Sequence, residues 1–322
     1  MRSILITSGL NSVSKEIIRF EGIVGVVESL PYTNNSNKSL NLKNSLRKIL
    51  GAIIHNKSLK ILANKMDIDF FSLDRKNSDL FFNWVKNLNP DLIIVYSMSQ
   101  LIETKVINLC KFGAINLHPS LLPDFKGPNP MQWIFLRNES NFGYTLHFIN
   151  AGEDSGPIIF QCGFEIPRGS QISDFEPKVA LKYGFPLIKE AYFELVHNKY
   201  LVSNPQPFKE KTFRARRLTT FELYNEIDWI DWDVERIWHC LRGMPEVSEQ
   251  IPVTSRIIRN RIWKIGNYTR TTLNKEISYP YIKLDRSGFA IYTPQGFIQV
   301  KPRSKFLQVG TKFISKIWHE KV

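Results

Sequence analysis

The chain has 322 residues, too many for one ordinary hydrophobic core and too few for three, so two domains are expected. Hydrophobic residues make up 43% and charged residues 23%, the balance of a soluble globular protein, which excludes a disordered or collagen-like chain. The formal charge of +13 is uneven: residues 206–322 hold 21 basic and 12 acidic side chains, against 22 and 18 in the first 205, a late excess that fits either a phosphate-bearing partner or a solvated basic surface.

Cys110, Cys162 and Cys240 are too far apart for a Cys-x-x-Cys metal knuckle, and an odd count argues against a disulfide framework, so a reducing compartment is expected. The start, Met1 to Leu10, reads as a first strand rather than a signal peptide, and no apolar run approaches the ~20 residues that span a bilayer. A cytoplasmic protein with no membrane partner is expected.

Along the chain, strand-like and helix-like segments alternate. Ser3 to Ser8 and Ile23 to Glu28 are short Ile/Val-rich runs flanking Ser12 to Phe20, where Ser12 or Ser14 caps a helix with apolar Val13, Ile17, Ile18 and Phe20. A polar, Asn-rich loop (Thr33 to Lys43) leads into a helical pattern ending near Lys65. Next come a strand at Ile68 to Ser72, a helix around Asp79 to Leu88, and Asp91 to Tyr96, an almost unbroken apolar strand of the kind buried on both faces of a parallel sheet. The pattern predicts an α/β, Rossmann-like fold with a mostly parallel sheet, whose ligands bind at the carboxyl ends of the strands. The first turn, Ser8-Gly9-Leu10-Asn11-Ser12, has no Gly-x-Gly-x-x-Gly, which argues against a dinucleotide. Composition shifts near Asn204-Pro205-Gln206-Pro207. Beyond it lie short β-like runs (Arg261 to Gly266, Tyr281 to Leu284, Phe289 to Tyr292, Phe297 to Val300), so the domains are placed at 1–205 and 206–322, the second a small β-rich, OB-like barrel or sheet.

Two polar clusters carry the chemistry. If Ala114 to His118 is a strand, its period of two puts Asn116 and His118 on one face, and Pro119 and Pro123 turn the chain directly after it. An amide donor and an imidazole there suit a developing oxyanion and a proton transfer, although such a pair is more often structural. Thirty-odd residues on, Tyr144 to Ile149 alternates as a strand. It leads through Ala151-Gly152-Glu153-Asp154-Ser155-Gly156 into a strand from Pro157 to Phe164. Asp154 between glycines is by itself an ordinary Asx-turn residue, and His147 reads as a buried, hydrogen-bonded structural histidine.

Together the clusters resemble the folate-dependent formyltransferases, which use N10-formyltetrahydrofolate and act on glycinamide ribonucleotide, methionyl-tRNA or amino sugars. The family's Asn-x-His-x-Ser-Leu-Leu-Pro is met by Asn116, His118 and Ser120 to Pro123, and its Asp-[Ser/Thr]-Gly by Asp154 to Gly156. Asp91 to Val95, Gly127 to Trp133 and, more loosely, Lys211 to Arg217 with Ile227-Asp228-Trp229 look similar too. The resemblance implies that Asn116 and His118 face the oxygen of a tetrahedral intermediate, while Asp154 holds His118 and helps move the amine's proton to the folate nitrogen. It implies a pterin slot at Tyr96, Ser97, Met98, Ser99, Leu101, Ile149, Ala151, Gly152 and Glu153, held largely by backbone groups, and no metal. Ile93, Ile94 and Val95 are expected to be sheet core.

The acceptor amine is less determined. The ~115 residues after the first domain argue against a glycinamide ribonucleotide enzyme, although Gly156-Pro-Ile-Ile resembles those. Methionyl-tRNA enzymes share a C-terminal β domain and would use the basic excess. However, the loop where they insert a basic element is here Asn-rich (Asn34 to Lys38), and their Gly-Ala-Ala-Pro is replaced by Gly127-Pro-Asn129-Pro130. Asn129-Pro-Met-Gln132-Trp133 with Thr145-Leu-His147 looks more like the enzymes that formylate a nucleotide-linked amino sugar, such as a dTDP-amino sugar of lipopolysaccharide O-antigen biosynthesis. A sugar nucleotide is therefore expected ahead of tRNA, with a homodimer implied by the same resemblance. Candidate acceptor contacts are Ser8, Lys126, Asn129, Gln132 and Trp133. Trp133 stacks on a base or sugar or, with Ile134 and Leu136, forms a helix's core face. Arg214, Arg216 and Arg217 clamp a diphosphate or dress a linker. Arg256, Arg259, Arg261 and Lys264 contact tRNA or are solvated surface, and Trp229, Trp232 and Trp238 serve an interface or a core. An RNA-binding relative with an inactive enzyme fold is the other class of protein the sequence allows; the complete Asn116, His118 and Asp154 set argues against it.

Overall fold

The computed structural model describes residues 1–30, 58–74, 76–98, 100–210, 212–253, 263–273, 279–285 and 288–302. The Asn-rich loop, Ser99, Lys211, and Arg256, Arg259 and Arg261 lie outside the described residues. The first strand, β1 (Ser3–Thr7), is buried along its whole length. Helix α1 (Ser12–Ile17) follows directly. The expected serine cap is corrected: Asn11 is the cap, its side chain accepting from Ser14 N at 2.8 Å while Ser14 Oγ accepts from Asn11 N at 2.8 Å. An Asn in extended backbone before a small-residue turn satisfies two orphan N–H groups this way.

The chain continues through β2 (Ile23–Ser29), α2 (Leu59–Lys65), β3 (Asp69–Leu73), α3 (Ser78–Leu88), β4 (Leu92–Tyr96), α4 (Thr104–Ile107), β5 (Ala114–His118), α5 (Pro130–Leu136), β6 (Asn141–Phe148) and β7 (Ile158–Glu165). It then enters α6 (Ile172–Val179), a π-helical turn (Ala180–Gly184) and α7 (Phe185–His197). The seven strands form one sheet in the order β3-β2-β1-β4-β5-β6-β7; β1 to β5 are parallel, and β6 pairs antiparallel with both β5 and β7. This is the α/β, Rossmann-like, mostly parallel architecture expected. The five residues of β4 are all buried, as an unbroken Leu-Ile-Ile-Val-Tyr run requires when both faces of a sheet are covered. Ile4, Ile6, Ile93 and Val95 pack with Phe81 and Val85 of α3, and burying each such side chain stabilises the sheet by about 1.5–3 kcal/mol.

β1 lies between β2 and β4, so the chain leaves β1 in one direction and returns on its other side. Strand order reverses there, and the carboxyl ends of β1 and β4 border a cavity of about 240 Å³ lined by Ser8, Gly9, Tyr96, Ser97 and Glu176.

Contacts divide the chain into two compact units: residues 1–130, 141–165 and 175–215 in the first, and 131–140, 166–174 and 216–322 in the second. The composition break near Pro205 is thus not the last residue of the first unit. Asn204 exchanges two backbone hydrogen bonds with Ile158, and Ala215 N donates to Lys126 O at 2.6 Å, which ties residues 204–215 to the first sheet's loops. In the second unit, β8 (Trp263–Arg270), β9 (Tyr281–Asp285), β10 (Gly288–Thr293) and β11 (Gly296–Pro302) form an antiparallel sheet in the order β8-β11-β10-β9. Trp263, Ile265, Ile282, Ile291, Ile298 and Val300 are buried in it. Two helices, α8 (Thr220–Asn225) and α9 (Val234–Gly243), precede that sheet. Trp229 and Trp238 serve this unit's core, Trp229 donating to Tyr224 O and Trp238 to Gly266 O. Among the described residues no helix is long and apolar enough to cross a membrane.

Candidate active site

Asn116 and His118 leave β5 on one face, as the strand's period demands. β6 pairs with β5 so that His147 stands directly opposite Asn116 and Thr145 opposite His118. Asp154 arrives from the loop after β6 with φ of 46°, a left-handed conformation that aspartate tolerates better than most residues. Its carboxylate reaches all three groups. Oδ1 accepts from Asn116 Nδ2 at 3.3 Å and lies 3.6 Å from His147 Nε2, while Oδ2 lies 3.5 Å from His118 Nδ1 and accepts from Gly127 N at 2.9 Å. The structure therefore brings together the three residues singled out on the sequence as catalytic.

Hydrogen-bond accounting fixes the state of each group. His147 Nδ1 is 2.8 Å from Phe148 O, which can only accept, so Nδ1 carries the hydrogen and Nε2 accepts from Asn116 Nδ2 at 3.1 Å. Both hydrogens of the Asn116 amide are thereby in use; turning the amide over would set its oxygen against the Asp154 carboxylate, so the orientation is determined. Donation to a new negative oxygen draws on one of these bonds, and the longer one to Asp154 is the weaker.

Burial alone would raise the Asp154 pKa. The two imidazoles and the Gly127 N–H outweigh it and hold the carboxyl at about 2. His118 has its pKa lowered, chiefly by burial, against the opposing pull of Asp154 and the Phe125 carbonyl. Its Nε2 is 3.0 Å from Phe125 O and its Nδ1 faces Asp154. Both neighbours are acceptors, so the ring satisfies both only as an imidazolium. A base that is neutral at rest with two acceptors waiting for its protonated form is suited to take a proton during a reaction.

The turn after β5 is held from β6 and β7. Thr145 Oγ1 donates to Ser120 O at 2.7 Å and accepts from Leu122 N at 3.1 Å and Gln161 Nε2 at 2.8 Å, and Ser120 Oγ donates to Asp124 O at 2.7 Å. This brings Gly127, with φ of 110°, under Asp154. Gln206 holds the Asp154 loop from behind, its Nε2 donating to Asp154 O at 2.8 Å and Gly156 O at 2.9 Å.

The residues expected to hold a ligand are distributed as follows. Tyr96 is buried, its hydroxyl donating to Glu176 Oε1 at 3.1 Å; burial raises the pKa of both groups. Ser97, with φ of 59°, joins Ser8 through their hydroxyls at 2.9 Å, closing the carboxyl ends of β4 and β1. Met98 and Ile149, both partly buried, pack on the apolar cluster that holds Ile93, Val95 and Val106. Leu101 is 76% exposed and Ala151 and Gly152 are exposed. Glu153 pairs with Arg214, Nη2 donating to Oε1 at 3.0 Å, so Arg214 is engaged with a carboxylate of the loop. Lys126 and Asn129 lie in the first unit, bridged through backbone to Arg214 and Ala215. Gln132 and Trp133 fall in the second, where Trp133 is 8% exposed and donates from Nε1 to Arg216 O at 2.8 Å, leaving little ring face to stack on a ligand.

Gln206 and Gln161 are residues at the site that the sequence reading did not name, while His147, read as a buried, hydrogen-bonded structural histidine, is that and also faces Asn116 and Asp154. For His147 the available signal was position: it pairs with Asn116 once β6 is placed antiparallel beside β5, a register that alternation alone does not give.

A carboxylate, an amide and a neutral imidazole at the carboxyl end of a parallel strand make an acyl-transfer type of site. Residues 43–183 match the formyl transferase family. That match takes in both motifs, Asn116 to Pro123 and Asp154 to Gly156, and supports the resemblance to the folate-dependent formyltransferases. A methionyl-tRNA formyltransferase of Alkaliphilus oremlandii is 29% identical over 161 residues, half of this chain and half of that protein. The one from Clostridium perfringens is 26% identical over 244 residues, 73% of this chain and 74% of its own length. Among solved structures, an N-formyltransferase of Helicobacter canadensis, in complex with folinic acid and dTDP-3-aminofucose, is 19% identical over 94% of this chain and 99% of its own, with a TM-score of 0.57.

Proposed function

We propose that the chain transfers a formyl group from N10-formyltetrahydrofolate to a primary amine, the amino group of a nucleotide-linked sugar. The observation that carries this is the meeting of Asn116, His118 and Asp154 around one point. Apolar Met98 and Ile149 and the exposed backbone of Ala151 and Gly152 suit a flat heterocycle such as the pterin; the bound folate supplies the activated formyl group. In the reaction, Asn116 Nδ2 donates to the oxygen that becomes negative as the amine adds. His118 accepts the proton the new ammonium must lose, Asp154, ionised, orients and stabilises the imidazolium, and that proton passes to the folate nitrogen as the C–N10 bond breaks, the oxyanion re-forms the formyl carbonyl and tetrahydrofolate leaves.

The sugar acceptor is supported by the Gly127-Pro-Asn-Pro130 stretch and by the Helicobacter neighbour. A methionyl-tRNA acceptor is the second reading, supported by the named sequence relatives and the basic 206–322 half. Incubation with formyltetrahydrofolate and, separately, dTDP-amino sugars and charged initiator tRNA, read by mass spectrometry, decides. A formyl group gained by the sugar nucleotide supports the first reading, and one gained only by the aminoacyl-tRNA replaces it with the second.

A further inference from the structure

One edge of the large sheet lies open. Strand β7 pairs with β6 on one side, and on its other side Asn204 bonds to it at Ile158 alone. Ile166 N donates to Ser140 O at 2.8 Å, which fixes the alternation of the antiparallel bonds: the backbone groups of Phe164, Cys162 and Phe160 face β6, and those of Glu165, Gly163 and Gln161 face outward. These three N–H and three C=O groups have no protein partner among the described residues. The devices that keep sheet edges apart are missing as well. From Gln161 to Glu165 there is no proline, no lysine and no bulge, the strand's one register shift falling before that stretch, opposite Leu146 and His147. Gln161, Gly163 and Glu165 are exposed, and Cys162 and Phe164 are half-buried.

We propose that two copies of this chain join along β7, antiparallel across a two-fold axis at Gly163, into one continuous sheet with seven strands from each copy. The edge is complementary to itself. Hydrogen-bonded partners in an antiparallel pair must both be outward-facing residues, and only an axis at Gly163 gives all three a partner: Gln161 meets Glu165 of the second copy, Gly163 meets its own counterpart, and Glu165 meets Gln161. Every outward N–H and C=O of both copies is then satisfied. An axis at Glu165 would set two carboxylates directly opposite each other, which is unfavourable; with Gly163 on the axis each carboxylate faces an amide. On the other face of the strand, Cys162 comes opposite Phe164 of the second copy. The Phe164 ring stacks on Tyr183 at 4.2 Å and touches Phe175, so pairing extends an aromatic cluster across the axis and adds sulfur–aromatic contact to the backbone bonds. The same edge supports the reacting cluster, because Gln161 Nε2 holds Leu122 O and Thr145 Oγ1 in the turn after β5.

The test is sedimentation equilibrium of the full chain as wild type, Gly163→Pro and Gly163→Lys, with cross-linking of wild type and Cys162→Ser by a short bis-maleimide. Wild type is expected at twice the chain mass of 37.5 kDa. Proline at 163 removes an N–H that β6 does not use, and lysine there sets two like charges on the axis while its Cβ lies at an ordinary 3.5 Å from Leu121 Cδ1, so both variants keep the fold, as circular dichroism checks. Each is expected to raise the dimer dissociation constant at least tenfold. The two Cys162 side chains sit diagonally across the axis, about 7–8 Å apart, whereas Cys110 and Cys240 are buried, so the reagent is expected to join two chains in wild type and not in Cys162→Ser. A wild-type chain that stays monomeric throughout the concentration range overturns the proposal. So does a dimer that neither Gly163 variant weakens, or one that gives no cross-link through Cys162, since its interface then lies elsewhere. Neither readout involves formyl transfer or the identity of the acceptor.

Discussion

Asp154 and His118 make opposite demands on their surroundings, and acid exposes both. The folded pKa of Asp154, about 2, is below its unfolded value, so its contribution is present above the unfolded pKa and is lost as pH falls through the folded one. The shift corresponds to about 2 kcal/mol. Urea unfolding of wild type and Asp154→Asn from pH 7 downward is expected to show a stability gap that holds to about pH 5 and closes between about pH 4 and 2; a gap independent of pH would contradict the ion-pair geometry. His118 is also depressed, and the sign is the same: below about 6.5 the unfolded chain takes up the proton first, so acidification destabilises the fold from that point. His147 acts through Asn116. Its replacement by Phe keeps the ring volume but frees one amide hydrogen to turn, so turnover is expected to fall about 10-fold with folate affinity retained, read as kcat against KM. How much of this was legible beforehand differs residue by residue. Asn116, His118 and Asp154 stood out because their spacing in two short motifs matches a family pattern. His147 was legible only as a buried structural histidine and Gln206 not at all, since their places at the site come from strand register and from a chain segment returning after some fifty residues, neither of which leaves a local signature.

At the scale of elements, the Asp154 loop is set by close backbone contact. A Cβ added to Gly156 would lie 1.8 Å from Phe148 O, the carbonyl that also accepts from His147 Nδ1. Gly156→Ala must push the end of β6 and the Asp154 loop apart, so it is expected to keep the circular dichroism of the fold and lose at least tenfold in turnover; normal kinetics in this variant would show that the loop is not held this tightly. Asn11 caps α1 at the edge of the β1–β4 cleft. Asn11→Ala is expected to cost about 1 kcal/mol by thermal or urea unfolding. Strands β1, β2 and β4 were readable because parallel strands buried on both faces become Ile/Val/Leu-rich runs, and β5 from its alternation ahead of Pro119. The order of the strands, and the antiparallel turn to β6 that completes the site, were not, because pairing partners are chosen by tertiary packing rather than by composition. The composition break at Asn204 to Pro207 was visible, but the hydrogen bonds that keep the next ten residues on the first unit are backbone bonds that any sequence can make.

For the whole molecule, the charge of +13 and the pair of units frame the question of the acceptor. If the basic 206–322 half served tRNA, formyl transfer to charged tRNA would fall steeply between 50 and 200 mM salt, by about 10³-fold for a contact with six phosphates. A sugar nucleotide with two phosphates is expected to show a dependence several times shallower, measured as kcat/KM over that range. The most direct test joins acceptor and mechanism: transfer of a carbon-labelled formyl group from labelled formyltetrahydrofolate to an amino-sugar nucleotide by the full chain and by Asp154→Asn. Label on the sugar amine with wild type, reduced at least 100-fold in the variant at unchanged folate affinity, is the expected result. Equal transfer by the two proteins, or no labelled amine from any acceptor, would contradict a reaction centred on Asn116, His118 and Asp154.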